Sequence, residues 1–193
     1  MRSGCHGVVL GLPRGGVPVA AEISHRLGWP LDILVVRKIG FPGHEQLAMG
    51  AVASGGITIK NQSVIADGRV SEATFMDRAA AAAGEVVALE NMLRDVASIP
   101  LSDESVILVD DGLATGSTMK AAIEAVQTKE PESVIVAIPV APEDTLHEIA
   151  ALADDVVCLL VPSPFVAVGI WYRRFPQVPT AEVRRILHES RQV

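Results

Sequence analysis

Cysteines and aromatic side chains are scarce in this sequence, and long apolar runs are absent. The 193 residues include 2 cysteines, 2 tryptophans, 1 tyrosine and 4 phenylalanines. Cys5 and Cys158 lack the spacing of a zinc site or a disulfide framework, and Cys158 lies in an apolar run typical of a core thiol. No apolar run reaches membrane-spanning length, and the first residues lack a secretory pattern. These features predict a cytoplasmic protein.

Basic charge is also in deficit. Sixteen Lys and Arg stand against 23 Asp and Glu, a net charge of −7. Nucleic-acid binding depends on a basic surface that replaces counterions, so a nucleic acid is not an expected partner. A membrane is not an expected partner either, since no apolar run is long enough to span one. The net negative charge remains compatible with a small anionic ligand held by local groups. Val, Ile, Leu and Ala dominate the apolar 49% of the chain, which fits α/β packing in one domain spanning residues 1–193.

The stretch from Val106 to Thr118 is the most informative part of the sequence. Its first four residues predict a strand buried on both faces, and Asp110 and Asp111 follow at the carboxyl end, where α/β sheets bind ligands. A loop of small residues then leads into a helix predicted over 119–129. Loop amides and a helix N-terminus suit a phosphate, whereas carboxylates suit sugar hydroxyls or a hydrated cation. The plainer alternative is a helix-capping turn. Nucleotide P-loop and dinucleotide fingerprints are both absent.

This run resembles the phosphoribosyl pyrophosphate (PRPP) motif of the type I phosphoribosyltransferases. The resemblance implies that Asp110 and Asp111 hold the ribose hydroxyls as catalytic residues, with Mg²⁺ reached through water. It also implies a 5-phosphate loop formed by Ala114, Thr115, Gly116, Ser117 and Thr118. Several members of that family carry a third acid where this chain has Ala114.

A second candidate anion site follows the first predicted strand, residues 7–12. Arg14, Gly15 and Gly16 combine a guanidinium with exposed amides, and a helix is predicted over 17–27. A tight strand-to-helix turn is the alternative interpretation. The resemblance implies that these three residues bind the pyrophosphate.

Two adjacent cations, Arg37 and Lys38, follow a strand predicted over 31–36. The resemblance implies that both contact the pyrophosphate and take part in catalysis. Glycines and a proline predict a loop over 39–45, a candidate lid. A hairpin is predicted beyond it, so residues 40–60 form a candidate flexible loop and hairpin. Its His44 and Glu45 are either solvated or able to assist proton transfer.

The rest of the chain alternates helices and strands. A helix capped by Ser71 is predicted to run to Ala97, with an apolar face that suits either the core or a dimer seam. Strands are predicted over 133–139 and 155–161, separated by a helix over 142–153. This alternation predicts an α/β fold: a doubly wound, mostly parallel sheet with flanking helices.

Most of the few aromatics lie near the C-terminus. They either pack on the core or stack against an aromatic acceptor. The resemblance implies a small C-terminal hood within residues 162–193, with Phe165, Val166, Trp171 and Tyr172 as acceptor-binding residues. Relatives that recognise 6-oxopurines carry an acid near Tyr172, so its absence disfavours guanine or hypoxanthine.

Taken together, the resemblance implies a phosphoribosyltransferase that moves the 5-phosphoribosyl group from PRPP to a nitrogen acceptor, expected to be a nucleobase. Pyrophosphate is released, Mg²⁺ is required, and a homodimer is expected. Two alternatives stay open, because a fold does not fix a function. One is a regulatory protein that binds PRPP without transfer, and the other is a PRPP hydrolase.

Overall fold

The computed structural model describes residues 7–94 and 97–191, and Cys5 and Val96 therefore lie outside the described residues. The strands are β1 Gly7–Gly11, β2 Leu31–Ile33, β3 Val36–Phe41, β4 His44–Ala53, β5 Ile57–Lys60, β6 Ser105–Val109, β7 Ser133–Val140 and β8 Asp155–Leu160. The helices are α1 Gly16–Leu27, α2 Gln62–Asp67, α3 Glu72–Leu93, α4 Ser117–Gln127, α5 Glu143–Ala150, the 3₁₀ turn Val168–Trp171 and α6 Thr180–Ser190.

A five-stranded parallel sheet in the order β2-β1-β6-β7-β8 forms the body. Successive side chains of each strand point to opposite faces, so the continuous apolar runs fill two cores. Val8 and Leu10 pack with α4 and α5 on one face. Val9 packs with α1, α3 and α6 on the other. The predicted α/β fold with helices on both faces is confirmed.

The two candidate anion loops follow neighbouring strands. β1 pairs with β6 so that Gly11 lies opposite Val109, and both chains leave the sheet at the same edge. The Leu12 amide donates to the Val109 carbonyl at 2.8 Å, and the Gly16 amide donates to the Leu12 carbonyl at 3.0 Å. The loop before α1 is therefore fixed beside the pair of aspartates that follows β6.

The strand predicted over 31–36 is wrong in its second half. β2 ends at Ile33, and the chain then enters a separate antiparallel sheet of β3, β4 and β5. Arg37 and Lys38 therefore lie at the start of β3, not at the carboxyl end of a parallel strand. The sequence does not reveal this change of sheet, because only residues 34–35 separate the two strands and residues 31–36 are all apolar apart from Asp32.

The loop predicted over 39–45 is also wrong, since β3 turns directly into β4 at residues 42–43. This hairpin is attached to α3, because Arg78 donates to Glu45 at 2.9 Å and to the Gly40 carbonyl at 3.2 Å. The one hairpin predicted from the sequence, with its turn at residues 55–56, is present as β4–β5. The sequence analysis missed α2 altogether.

The long helix begins where predicted, with Ser71 accepting a hydrogen bond from the Thr74 amide at 3.2 Å. It ends at Leu93, earlier than the predicted end at residue 97. Most of its predicted apolar face is buried in the core, including Phe75 and Val86. The core interpretation of this helix therefore has direct support.

The segment after β8 divides into two parts. Residues 161–179 hold only the 3₁₀ turn, whereas α6 packs against α1 and α3 and buries Val183, Ile186 and Leu187. Only the first part is available to cover the carboxyl edge of the sheet. Within residues 7–94 and 97–191, no helix combines the length and apolar character needed to cross a membrane.

Candidate active site

Asp110 and Asp111 follow β6 as a half-buried pair. The Asp110 carboxylate accepts a hydrogen bond from the Asp111 amide at 2.9 Å. Burial, together with the neighbouring Asp111 charge, raises the pKa of Asp110 to about 7. Burial also raises the pKa of Asp111. Two acids held in this way are poised to accept hydrogen bonds from a ligand that restores their solvation.

The loop after the aspartates is shaped to surround an anion. Gly116 adopts a left-handed conformation with φ 65° at the N-cap of α4, and a Cβ there would approach Thr145 Cγ2 at 2.8 Å. The Thr145 hydroxyl donates a hydrogen bond to the Ala114 carbonyl at 2.8 Å, which attaches the loop to α5. The Thr115 and Ser117 hydroxyls lie 3.2 Å apart. Amides and hydroxyls thus converge at a helix N-terminus.

The first loop is packed tightly onto the aspartates. Its Pro13–Arg14 peptide bond is cis. A Cβ at Gly15 would overlap the Asp111 carboxylate, and a Cβ at Gly16 would lie 2.5 Å from the Val109 carbonyl oxygen. Only glycine allows this approach, so the glycine pair holds backbone amides next to the acids.

Arg37 and Lys38 serve different neighbours. Arg37 Nε lies 3.4 Å from Glu85 on α3, and its Nη1 donates to the Val36 carbonyl at 3.2 Å. Lys38 Nζ instead donates to the Ser117 hydroxyl at 3.2 Å. The structure therefore brings Lys38 to the loop after β6, while Arg37 is engaged by α3.

Two cavities flank the aspartates. One, of about 280 Å³, includes Asp110, Thr118, Arg37 and Lys38 in its wall. The other, of about 480 Å³, lies against Asp111 on the side of α1. Its wall consists of Arg14, Gly15, Pro18, Val19, Asp111, Tyr172, Arg174, Phe175, Pro176, Gln177 and Val178. The acids thus stand between two spaces that together can hold an extended ligand.

Of the four residues expected to bind the acceptor, only Tyr172 lines the larger cavity. Its hydroxyl donates to the Asp111 carbonyl at 2.6 Å, and its pKa is raised to about 12 by burial and the two aspartate charges. Phe165, Val166 and Trp171 do not line that cavity, and Val166 is 72% exposed.

The sequence analysis missed the residues that complete this wall. The Phe175 ring contacts the Tyr172 ring in a tilted arrangement, with ring centroids 4.9 Å apart, and Arg174 and Gln177 bring polar groups. The signal was present as a second aromatic three residues after Tyr172, next to a pair of arginines.

His44 and Glu45 belong to the β3–β4 hairpin. Glu45 is engaged by Arg78, and His44 contacts the Phe41 ring. Neither residue lines either of the two cavities beside the aspartates. Their placement favours a structural role over proton transfer.

The donor set fits Mg²⁺ only as an ion shared with a ligand. Among the described residues, no group of three or more His, Cys, Asp or Glu could hold a metal. Mg²⁺ commonly keeps several waters and binds through one or two carboxylates plus substrate phosphates. Asp110 and Asp111 offer that kind of partial site.

Comparison with known proteins gives a consistent result. A family model described as phosphoribosyl transferase domain matches residues 5–170. Two curated proteins of Mycobacterium tuberculosis, from strains CDC 1551 and H37Rv, are each 42% identical to this chain over 190 residues. Both are called phosphoribosyl transferases by name, without an assigned acceptor. The match covers 95% of this chain and 42% of each relative, so the chain spans about two fifths of their length.

A solved structure is also similar over nearly the whole chain. The protein TT1426 from Thermus thermophilus shares 39% identity, with a TM-score of 0.86. The alignment covers 95% of this chain and 87% of that one. The arrangement of the two loops around the paired acids therefore belongs to a fold with a close relative of known structure.

Proposed function

Because the chain belongs to the phosphoribosyl transferase domain family, we propose that it transfers the 5-phosphoribosyl group of PRPP to a nitrogen acceptor and releases pyrophosphate. A nucleobase is the proposed class of acceptor. The observation that carries the proposal is the convergence of the two candidate anion loops on Asp110 and Asp111. A ligand with phosphates at both ends of a sugar matches that order of groups.

The proposed binding mode follows the positions of the side chains. The ribose hydroxyls lie against Asp110 and Asp111, and the 5-phosphate lies in the loop 114–118. The pyrophosphate lies against the amides and guanidinium of Arg14, Gly15 and Gly16. The contact between Lys38 and Ser117 supports assigning Lys38 to the 5-phosphate, which differs from the role implied by the family resemblance.

In the proposed reaction, the bond from ribose C1 to the pyrophosphate oxygen breaks and a bond from C1 to the acceptor nitrogen forms. The ribose gains positive charge, and the two aspartates near it stabilise that charge. Arg14 and the loop amides stabilise the negative charge of the departing pyrophosphate. When bound, Mg²⁺ supplies further charge neutralisation on the pyrophosphate. The acceptor proton passes to water.

Positioning of the ligand also contributes to the proposed reaction. The two loops are fixed by backbone hydrogen bonds and by glycine packing, so their donors are oriented before the ligand arrives. The residues 172–178 cover one side of the larger cavity and limit water near C1. Dependence on Mg²⁺, a homodimer and a cytoplasmic location form part of the same proposal.

Pyrophosphate release from Mg-PRPP tests the proposal. We expect release that depends on one class of acceptor, and we expect Asp111→Asn to slow it by at least about tenfold, since a charge-assisted contact is lost. Asp77→Asn is the matched control, because Asp77 is exposed on α3.

Three outcomes would contradict parts of the proposal. Release without any acceptor would favour a PRPP hydrolase. Binding of Mg-PRPP without release under any condition would favour a regulatory protein. Equal rates in wild type and Asp111→Asn would exclude the assigned site.

A further inference from the structure

The larger cavity beside Asp111 has an unusual balance of charge for an acidic chain. Two guanidinium groups, Arg14 and Arg174, line it, with a single carboxylate, Asp111. Even with that carboxylate fully ionised, the two guanidiniums exceed it by one charge. A cavity with net positive charge is therefore maintained in a chain of net charge −7.

The arginines of this cavity differ from several other arginines among the described residues. Arg78, Arg94 and Arg185 each form an ion pair with a nearby carboxylate. Within residues 7–94 and 97–191, no carboxylate lies within ion-pair distance of either Arg14 or Arg174. Their charge is available to a ligand.

The remaining wall is suited to a flat apolar ring. Phe175, Pro176 and Val178 come from the C-terminal segment, and Pro18 and Val19 come from α1. The hydroxyl of Tyr172 is already committed to the Asp111 carbonyl, so Tyr172 contributes its ring and not a free donor. Polar recognition in this part of the cavity therefore falls to Arg174 and Gln177.

The two arginines have different neighbours in the proposed complex. Arg14 adjoins the glycine pair and is assigned to the pyrophosphate. Arg174 lies on the opposite, C-terminal wall with the aromatic side chains. A guanidinium beside these aromatic side chains matches an anionic group on the ring-bearing ligand, because its planar fork binds a carboxylate with two parallel hydrogen bonds.

We infer that the acceptor is a planar heteroaromatic ring that carries a carboxylate, and that Arg174 is the residue that selects it. This inference rests on the proposed function, whose acceptor it specifies. A neutral base leaves the exposed Arg174 guanidinium to water, whereas a ring carboxylate pairs with it while the ring packs on Phe175.

Matched pairs of small molecules test the inference by calorimetry. The probes are uracil-6-carboxylate, pyridine-3-carboxylate and purine-6-carboxylate, each compared with the corresponding carboxamide of equal size. We expect at least one carboxylate to bind about tenfold more tightly than its carboxamide, equal to about 1.4 kcal/mol. The same carboxylate is expected to promote pyrophosphate release from Mg-PRPP.

Two neighbouring arginines provide the matched variants. Arg174→Gln is expected to weaken binding of the preferred carboxylate by about tenfold and to leave the KM for Mg-PRPP unchanged. Arg173→Gln is expected to change neither value, because Arg173 is exposed like Arg174 but does not line the cavity.

Several results would overturn the inference. These are equal binding of each carboxylate and its carboxamide, binding of none of the carboxylates, and an effect of Arg174→Gln on Mg-PRPP in place of the acceptor. The proposed function survives these results if Mg-PRPP transfers to a neutral base. It fails separately if Mg-PRPP itself does not bind.

Discussion

Asp110 combines burial with proximity to a second acid, and the two effects act in the same direction. Its pKa of about 7 lies well above the ordinary value of 3.8 because burial disfavours the charged carboxylate and Asp111 repels it. Such perturbed acids are often found at ligand sites. A ribose hydroxyl that donates to the ionised carboxylate would favour its charged form.

This shift makes stability depend on pH. Between pH 4 and pH 7 the native protein keeps the Asp110 proton that the unfolded chain has lost, so stability falls as pH rises through this range. The asparagine of Asp110→Asn cannot ionise, so this variant avoids the free-energy cost of a charged carboxylate at this site. The variant is therefore expected to gain up to about 4 kcal/mol over wild type at pH 8 and little at pH 4.

Urea unfolding of the ligand-free protein at several pH values measures this difference. Asp77→Asn, on an exposed part of α3, serves as the control and should show no such trend. A difference between Asp110→Asn and wild type that does not grow with pH would contradict the buried-acid account.

Lys38 provides a prediction about which phosphate it contacts. Its contact with Ser117 places its charge at the loop 114–118, so Lys38→Gln is expected to weaken binding of ribose 5-phosphate by about tenfold or more. Binding of inorganic pyrophosphate should stay unchanged, and Lys129→Gln should change neither. If Lys38→Gln weakens pyrophosphate binding alone, the role implied by the family resemblance is the correct one.

Individual site residues were predictable where they are neighbours in the sequence. The run 106–118 places acids, amides and hydroxyls in one continuous stretch, so its geometry follows from one strand, one loop and one helix. The cavity wall around Arg174 and Phe175 joins a C-terminal segment to α1, which lies about 150 residues earlier in the chain. Such a contact depends on the whole fold and leaves no local pattern.

At the scale of elements, the approach of α1 to β6 depends on Gly16. A Cβ there would lie 2.5 Å from the Val109 carbonyl oxygen and 2.8 Å from Asp110 Cα, both backbone atoms that cannot move freely. Gly16→Ala is therefore expected to destabilise the protein by about 1–3 kcal/mol through overpacking.

Gly84→Ala is the matched control for this prediction. Gly84 is exposed within α3 and a Cβ there meets no atom within 4 Å, so alanine should stabilise the helix by about 1 kcal/mol. Thermal unfolding of both variants gives the comparison. A Gly16→Ala protein as stable as wild type would show that the loop can move away from β6 without cost.

The elements of the parallel sheet were predictable because each buried strand is a short apolar run between turn residues. The antiparallel sheet was only partly predictable. Its first strand continues the apolar pattern of β2 without a break, and its turn at residues 42–43 contains a glycine that also suits a loop. Tertiary contacts, such as the one between Arg78 and Glu45, decide whether this segment forms a hairpin or a loop.

At the scale of the whole molecule, the site forms where three parts of the chain meet. The parallel sheet supplies both loops at its carboxyl edge, the antiparallel sheet supplies Lys38, and the C-terminal segment supplies the cavity wall. The curated relatives are more than twice as long as the region that matches this chain.

Calorimetric titration of the protein with Mg-PRPP tests whether PRPP binds at Asp110 and Asp111. We expect one molecule bound per chain, weaker binding when Mg²⁺ is withheld, and a loss of at least about tenfold in affinity for Asp111→Asn but not for Asp77→Asn. The absence of binding to wild type, or equal affinity in wild type and Asp111→Asn, would contradict the assignment of this site to PRPP.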